Sequence, residues 1–180
     1  MELPAVKMSA MDSHYDQVQQ LRAKAREQPS RLYFAYSTIL DRAAFDQWRG
    51  EHGYLSFELP EGSPAEARDV ALVYDFPSRW WGGRVAGLAD QAGAAVQGVL
   101  FEIAGADWPI VQHKEGAITG MCIEREVRVG GRTATAFTTA PARARRDGPV
   151  SLRFVEALER GARAAGLPES WVQGLRAGAI

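Results

Sequence analysis

The sequence is poor in residues that bind metals or cross-link small folds. It contains one cysteine, Cys122, which excludes a disulfide framework and a thiolate metal site. Its three histidines, His14, His52 and His113, lie far apart without the spacing of metal ligands, and we interpret each as a surface or turn residue. The sequence therefore predicts no metal site.

The chain also lacks a bias of charge and a long apolar run. Lys and Arg number 21 against 22 Asp and Glu, so no overall field attracts nucleic acid or an anionic membrane. Neither a signal peptide nor a membrane span is expected, and the cytoplasm is the expected location. Binding partners are therefore expected among small molecules.

The composition is that of an ordinary globular protein with its own core. The 180 residues are 46% hydrophobic and 24% charged. Residues 1–30 are expected to form an N-terminal extension with a helix at 12–28, which packs on the outside or forms a homodimer contact. Residues 31–180 are expected to form the main domain.

Apolar patterning predicts an α+β domain. Strands are predicted at 31–36, 54–59, 70–76 and 95–103, followed by a hairpin of 121–129 with 133–139. Helices are predicted at 41–48, 106–114 and 150–165, with a shorter one from Pro168 through Leu175. Strands with few helices between them, followed by terminal helices, indicate a curved or closed mixed sheet.

Glu115 is the strongest candidate for a catalytic residue. It precedes Gly116 at a predicted helix-to-strand junction, where the scaffold can hold the acid still while the glycine leaves room for a ligand. A carboxyl group held beside apolar walls is suited to transferring protons near neutral pH. A solvated turn residue is the alternative, because loops are usually polar surface.

Four segments of the sequence stand out: the aromatic strand and turn at 33–40, the Trp- and Gly-Gly-containing loop at 78–86, the stretch from 96–103 to 115–116 and 120–121, and the tail at 161–171. In this order and at these separations, they resemble the γ-glutamylcyclotransferase family. They span about residues 32 to 175, with the N-terminal helix outside. The resemblance implies a small, barrel-like mixed sheet with flanking helices and a pocket at one end.

The resemblance also implies a reaction. The α-amine of a γ-glutamyl amide attacks the γ-carbonyl, closes 5-oxoproline and expels an amine, without a metal or organic cofactor. Glu115 would act as general acid and base. The residues that the resemblance assigns to substrate binding are Tyr36, Ser37, Thr38, Ile39, Leu40, Trp80, Gly82 and Gly83.

Departures from the family pattern fall on the site. Ser37 replaces a glycine, Ile39 replaces an amide, Gln112 stands where an acid is common, and Cys122 and Phe154 stand where tyrosine is usual. Together they predict a drier pocket that favours an apolar leaving amine. Two alternatives stay open: another acid–base reaction such as amide hydrolysis or acyl transfer, and a catalytically silent binding or regulatory domain.

Overall fold

The computed structural model describes residues 10–179, with side chains from residue 13 onward. In that part of the chain five α-helices flank a closed barrel of five strands, which confirms the predicted α+β class. The strands are β1 (Arg31–Ala35), β2 (Ser63–Ser78), β3 (Gly83–Ile103), β4 (Cys122–Val129) and β5 (Arg132–Thr139). The helices are α1 (Ala10–Lys24), α2 (Arg42–Glu51), α3 (Trp108–Lys114), α4 (Leu152–Ala164) and α5 (Glu169–Ala177).

The barrel is mixed and runs in the order β1-β3-β2-β4-β5. It closes where β5 meets β1 in parallel, with Tyr33 opposite Thr135, whereas the other strand pairs are antiparallel. The register of the long β2–β3 hairpin shifts between Arg68 and Val70. Such bulges bend a strand and raise its twist, which allows strands of 16 and 21 residues to wrap around a small barrel.

Alternation along β1 separates two apolar clusters. Phe34 and Tyr36 face the barrel interior, whose buried side chains come from or directly follow all five strands, whereas Tyr33 and Ala35 face the helices. The interior cluster consists of Phe34, Tyr36, Ala67, Val70, Leu88, Val96, Val127, Val129, Ala134 and Ala136. The barrel is therefore filled with side chains, and a ligand site has to lie outside it.

Helix α4 fixes the turn that follows β1. Its first turn is capped by Ser151, whose hydroxyl accepts the Phe154 N–H at 3.2 Å. Near its other end Gly161 packs so closely on residues 38–41 that a Cβ there would lie 2.6 Å from the backbone nitrogen of Asp41. The Asp41 carboxylate also accepts a 2.7 Å hydrogen bond from Arg160. These contacts with α4 thus fix the position of the single-turn 3-10 helix Thr38–Leu40.

The N-terminal helix packs on its own chain. Val18 is fully buried, and the Arg22 guanidinium bonds the carboxylate of Asp107 at 2.9 Å and the carbonyl of Ala106 at 3.1 Å. The helix begins at Ala10 and ends at Lys24, earlier at both ends than the predicted 12–28. A homodimer contact through this helix and a separate unit at 1–30 stay predictions.

The strand predicted at 54–59 is wrong. These described residues form turns and loop, with the Tyr54 N–H bonded to the Arg49 carbonyl at 2.8 Å and the Phe57 N–H bonded to the Tyr54 carbonyl at 2.9 Å. The buried Arg49 guanidinium donates to the Phe57 carbonyl and satisfies backbone that a sheet would otherwise bond. The apolar residues of this stretch instead cover the aromatic side chains of α2.

The other predicted helices and strands are confirmed as helices and strands. The strands predicted at 70–76 and 95–103 are parts of the longer β2 and β3, and the hairpin β4–β5 forms as expected. Within residues 10–179 no helix is long and apolar enough to cross a bilayer.

Candidate active site

A pocket of about 290 Å³ opens beside the turn after β1. The end of α3, helix α2, the turn between β2 and β3, and the start of β4 supply its other walls. Its polar and ionisable lining includes Ser37, Thr38, Ser78, His52, His113, Lys114, Glu115, Thr119 and Cys122. Its aromatic lining consists of Trp48, Phe76, Trp80, Trp81 and Phe154. The pocket thus combines one carboxylate with broad aromatic walls.

Glu115 projects from the C-terminal end of α3. Its N–H still bonds the Val111 carbonyl at 2.9 Å, so the residue is held by the last helical turn. Gly116 then adopts φ 82°, a conformation that glycine takes without strain, and turns the chain away. The Gly116 carbonyl accepts the N–H groups of Met121 and Cys122 at 2.9 and 3.1 Å. The Glu115 backbone is therefore fixed on both sides.

Ser37 holds the Glu115 carboxylate. Its hydroxyl lies 3.3 Å from Oε1 and 3.2 Å from Oε2, and a serine has one proton to share between them. Ser37 also precedes the 3-10 helix as its N-cap, but its hydroxyl serves the carboxylate rather than the helix. The position where the family pattern has glycine therefore supplies a donor to the candidate catalytic group.

Three uncharged side chains, those of Tyr33, Tyr36 and Cys122, lie close enough to the Glu115 carboxylate to be influenced by its charge. Burial, followed by the charge of Glu115, raises the pKa of Tyr33 and of Tyr36 well above the usual value of 10. Burial and the same charge raise the pKa of the Cys122 thiol to about 12. These groups keep their protons at neutral pH, so the Glu115 charge has no competing anion among them.

The structure brings four of the nine predicted site residues together. Ser37, Thr38, Trp80 and Glu115 line the same pocket. Their segments come from the turn after β1, the β2–β3 turn and the end of α3. The spatial arrangement is thus the one expected if the turn and the acid share a ligand.

Tyr36, Ile39 and Leu40 lie outside the lining of this pocket. The Tyr36 hydroxyl faces inward and donates to the Phe137 carbonyl. Ile39 is 2% exposed and packs in the core, and Leu40 borders a second pocket of about 250 Å³ behind the turn. The 3-10 turn explains this, because Ser37 and Thr38 line the pocket while the side chains of Ile39 and Leu40 that follow lie on its other faces.

Gly82 and Gly83 also lie away from the lining. Gly82 has φ 70° and completes the tight β2–β3 turn. A Cβ on Gly83 would lie 2.9 Å from the Ser151 backbone nitrogen, so this glycine lets β3 approach the start of α4. Both glycines shape the loop that carries Trp80.

The interpretation of His113 as a surface or turn residue is wrong. It is 8% exposed on α3, and its ring centroid lies 5.3 Å from that of His52 and 5.7 Å from that of His14. Its Nδ1 lies 3.0 Å from the Tyr54 hydroxyl. All three histidines of the sequence thus meet, although no group of three metal-ligand side chains among the described residues is arranged to hold an ion.

The predicted site left out most of the pocket lining, and Trp48 and Lys114 are two of the residues that it missed. Trp48 stacks on Tyr54 with ring centroids 5.4 Å apart, and the Lys114 nitrogen lies 5.8 Å from the Trp48 ring centroid. Lys114 is adjacent to Glu115, so its proximity was available in the sequence. Nothing local indicated that α2 would bring Trp48 to the same place.

Acid is expected to destabilise the protein through His113. Burial, followed by His52 and His14, lowers the pKa of His113 from 6.5 to about 4, so the unfolded chain binds more protons between these values. The free energy of unfolding should therefore fall as the pH drops from 6.5 to 4, by about 3 kcal/mol at most from this residue.

Urea unfolding at pH 7 and pH 4.5 measures this effect. The His113→Gln variant keeps a polar side chain but cannot titrate, so it should lose less stability between the two pH values than the unsubstituted protein. Equal losses for both proteins would contradict the assignment of acid sensitivity to His113.

Comparison with known proteins identifies related folds. Residues 95–175 match the model of the AIG2-like family. The solved structure of uncharacterized protein loc79017 from Homo sapiens is 22% identical with a TM-score of 0.66, over 83% of this chain and 88% of that chain. A gamma-glutamyl cyclotransferase structure is 22% identical with a TM-score of 0.64, over 82% and 87%.

A third similar structure is YkqA from Bacillus subtilis. It is 19% identical with a TM-score of 0.67, over 88% of this chain and 56% of that chain. No curated protein matches the sequence. At these identities the solved structures establish the fold, and the fold is the one that the four sequence segments predicted.

Proposed function

We propose that the chain is a divergent γ-glutamylcyclotransferase-like enzyme that converts a γ-glutamyl amide into 5-oxoproline and a free amine, a proposal supported by the family match of residues 95–175 and by the shared fold. Glu115 is the proposed proton carrier. The observation that carries the proposal is the Ser37–Glu115 contact inside a pocket bordered by the turn after β1. A carboxylate held in this way lines a pocket of about 290 Å³, which supports a folded-back glutamyl group as its ligand.

The proposed reaction needs one proton acceptor that later becomes a donor. The substrate ammonium gives a proton to Glu115, and the freed α-amine attacks the γ-carbonyl carbon to form the new C–N bond. The original C–N bond then breaks as Glu115 returns its proton to the departing nitrogen, and the ring nitrogen releases its second proton to solvent, which leaves the neutral lactam and a free amine. A single carboxylate completes this cycle, and the intramolecular attack gives the nucleophile a high effective concentration.

The charged side chains that line the pocket suit a glutamyl group that brings one carboxylate with it. Among the Lys and Arg side chains of the described chain, only Lys114 lines the pocket. We assign it to the α-carboxylate of the glutamyl group, which would otherwise enter beside the Glu115 carboxylate without a partner. The turn backbone at Thr38 borders the same end.

A panel of γ-glutamyl amides tests the proposal. The purified protein is incubated with γ-glutamyl conjugates of amino acids and of simple amines, and 5-oxoproline is quantified by chromatography. Release above the spontaneous rate from at least one conjugate is expected. A panel without enzymatic 5-oxoproline, or one that yields glutamate instead, would contradict the cyclotransferase assignment.

Removal of the Ser37 hydroxyl is expected to slow the chemical step more than it weakens binding. Ser37→Ala removes one of the hydrogen bonds that orient the carboxylate and leaves the one with Tyr33, and a hydrogen bond to a charged group contributes about 1.5–3 kcal/mol. We expect kcat to fall roughly tenfold or more while KM changes little.

Ser78→Ala is the matched control for this measurement. Ser78 lines the same pocket, but its hydroxyl accepts the Trp81 N–H at 3.3 Å and its contacts do not include Glu115. Its kcat should stay near that of the unsubstituted protein. A Ser37→Ala variant with unchanged kcat would show that the contact has no catalytic part.

A further inference from the structure

We propose that the amine released by this protein has an apolar or aromatic body and carries no carboxylate. This inference rests on the proposed function, and it extends the expectation of an apolar leaving amine that the departures from the family pattern raised. It follows from the walls of the pocket, from the side chains at its rim, and from the small number of cations near it.

The walls beyond Glu115 are aromatic. Trp81 meets Phe154 edge to face, with ring centroids 5.4 Å apart, and Trp48, Phe76 and Trp80 complete the surface. Aromatic faces gain energy by covering apolar groups and offer a carboxylate little to replace its water. The leaving group that this wall favours is therefore a hydrocarbon or an aromatic ring.

The apolar wall continues to the rim of the pocket. Trp80 is 53% exposed and Met121 is 44% exposed, and both line the pocket. A single exposed apolar side chain needs no explanation, but here two of them border the same opening. An apolar group that extends from the scissile amide would cover both.

The cations near the pocket are already engaged. Lys114 is the one Lys or Arg among the described lining residues, and the glutamyl α-carboxylate requires it. Arg153 lies outside the lining, with its guanidinium 5.2 Å from the Trp81 ring centroid and donating to the Trp80 carbonyl. The amino-acid carboxylate of a γ-glutamyl dipeptide would thus lie against aromatic and apolar side chains without a Lys or Arg partner.

A matched pair of substrates tests this inference. γ-Glutamyl-phenethylamide and γ-glutamylphenylalanine differ only by the second carboxylate. The phenethylamide should have a kcat/KM at least about tenfold higher, a factor that corresponds to 1.4 kcal/mol, because the second carboxylate loses water against the apolar wall and gains no cation in exchange. A dipeptide that reacts equally well or better would overturn the inference.

A charge added at the rim should reverse the preference. Met121→Arg places a cation where the second carboxylate would lie, so the ratio of the two kcat/KM values should fall at least about fivefold, with the dipeptide improving. Ile123→Arg is the control, because Ile123 is 43% exposed on β4, two residues after Met121, but outside the pocket lining. An equal change of the ratio in both variants would contradict the placement of the leaving group.

Binding separates a failure of this inference from a failure of the proposed function. Tryptophan fluorescence of the Glu115→Gln variant reports the Kd of both conjugates without turnover, through the indole side chains of the pocket. Tighter binding of the phenethylamide supports the inference even if neither conjugate yields 5-oxoproline with the unsubstituted protein. Equal or tighter binding of the dipeptide, or no binding of the phenethylamide, rejects the inference, whatever the outcome for the reaction.

Discussion

Replacement of Glu115 by glutamine is expected to lower kcat for 5-oxoproline release by about 10²–10⁴-fold. Glutamine has the same shape, and its amide oxygen can accept the Ser37 hydroxyl, but it cannot take the proton of the substrate ammonium. The attacking amine would then depend on solvent for its deprotonation, and the leaving nitrogen would depart without a donor. Initial rates with a γ-glutamyl amide measure the loss directly.

Glu126→Gln is the control for this substitution. Glu126 lies exposed on β4 and outside the pocket lining, so its substitution removes one negative charge without touching the site. This variant should keep its activity within about twofold, since surface substitutions away from the site have small effects. If Glu115→Gln retained the same activity as Glu126→Gln, the acid–base assignment would be abandoned.

Substitution of Gly161 by alanine is expected to destabilise the protein and to slow the reaction. A Cβ at this place in α4 would lie 2.6 Å from the nitrogen of Asp41 and 2.7 Å from the carbonyl carbon of Leu40, both backbone atoms. The helix or the 38–41 segment has to move, which costs about 1–3 kcal/mol of the free energy of unfolding. Because that segment follows Ser37, kcat should fall as well.

Gly174→Ala makes the same change in open space. Gly174 lies inside α5, and a Cβ there would meet no described atom within 4 Å. Alanine should therefore stabilise the protein by about 0.5–1 kcal/mol, because it favours the helix without a clash. Denaturant unfolding of both variants gives the comparison. If Gly161→Ala and Gly174→Ala were both more stable than the unsubstituted protein, the close contact between α4 and residues 38–41 would be contradicted.

The sequence predicted those elements whose patterns are local. The hairpin β4–β5 is marked by Gly130 and Gly131, and α4 by its apolar face and by Gly166 beyond its end. The segment 54–59 was mistaken for a strand because its apolar residues also suit a sheet. Its backbone is satisfied instead by Arg49, a side chain that no strand pattern includes.

The candidate site could be predicted as a set of segments but not as a set of contacts. The resemblance placed Glu115 and the turn after β1 in one pocket. It could not indicate that the Ser37 hydroxyl bonds Glu115, because the two residues are 78 positions apart and the family pattern has glycine at Ser37. The burial of His113 beside Tyr54 could not be predicted either, because it depends on how α2 and α3 pack together.

The fate of the α-nitrogen tests the central claim most directly. A γ-glutamyl amide labelled with nitrogen-15 at its α-amine is incubated with the protein, and the products are followed by nitrogen NMR. We expect the label to appear in the lactam of 5-oxoproline, and we expect Glu115→Gln to slow its appearance by about 10²–10⁴-fold. Label found in free glutamate, or in a lactam formed equally fast with the variant, would contradict the central claim.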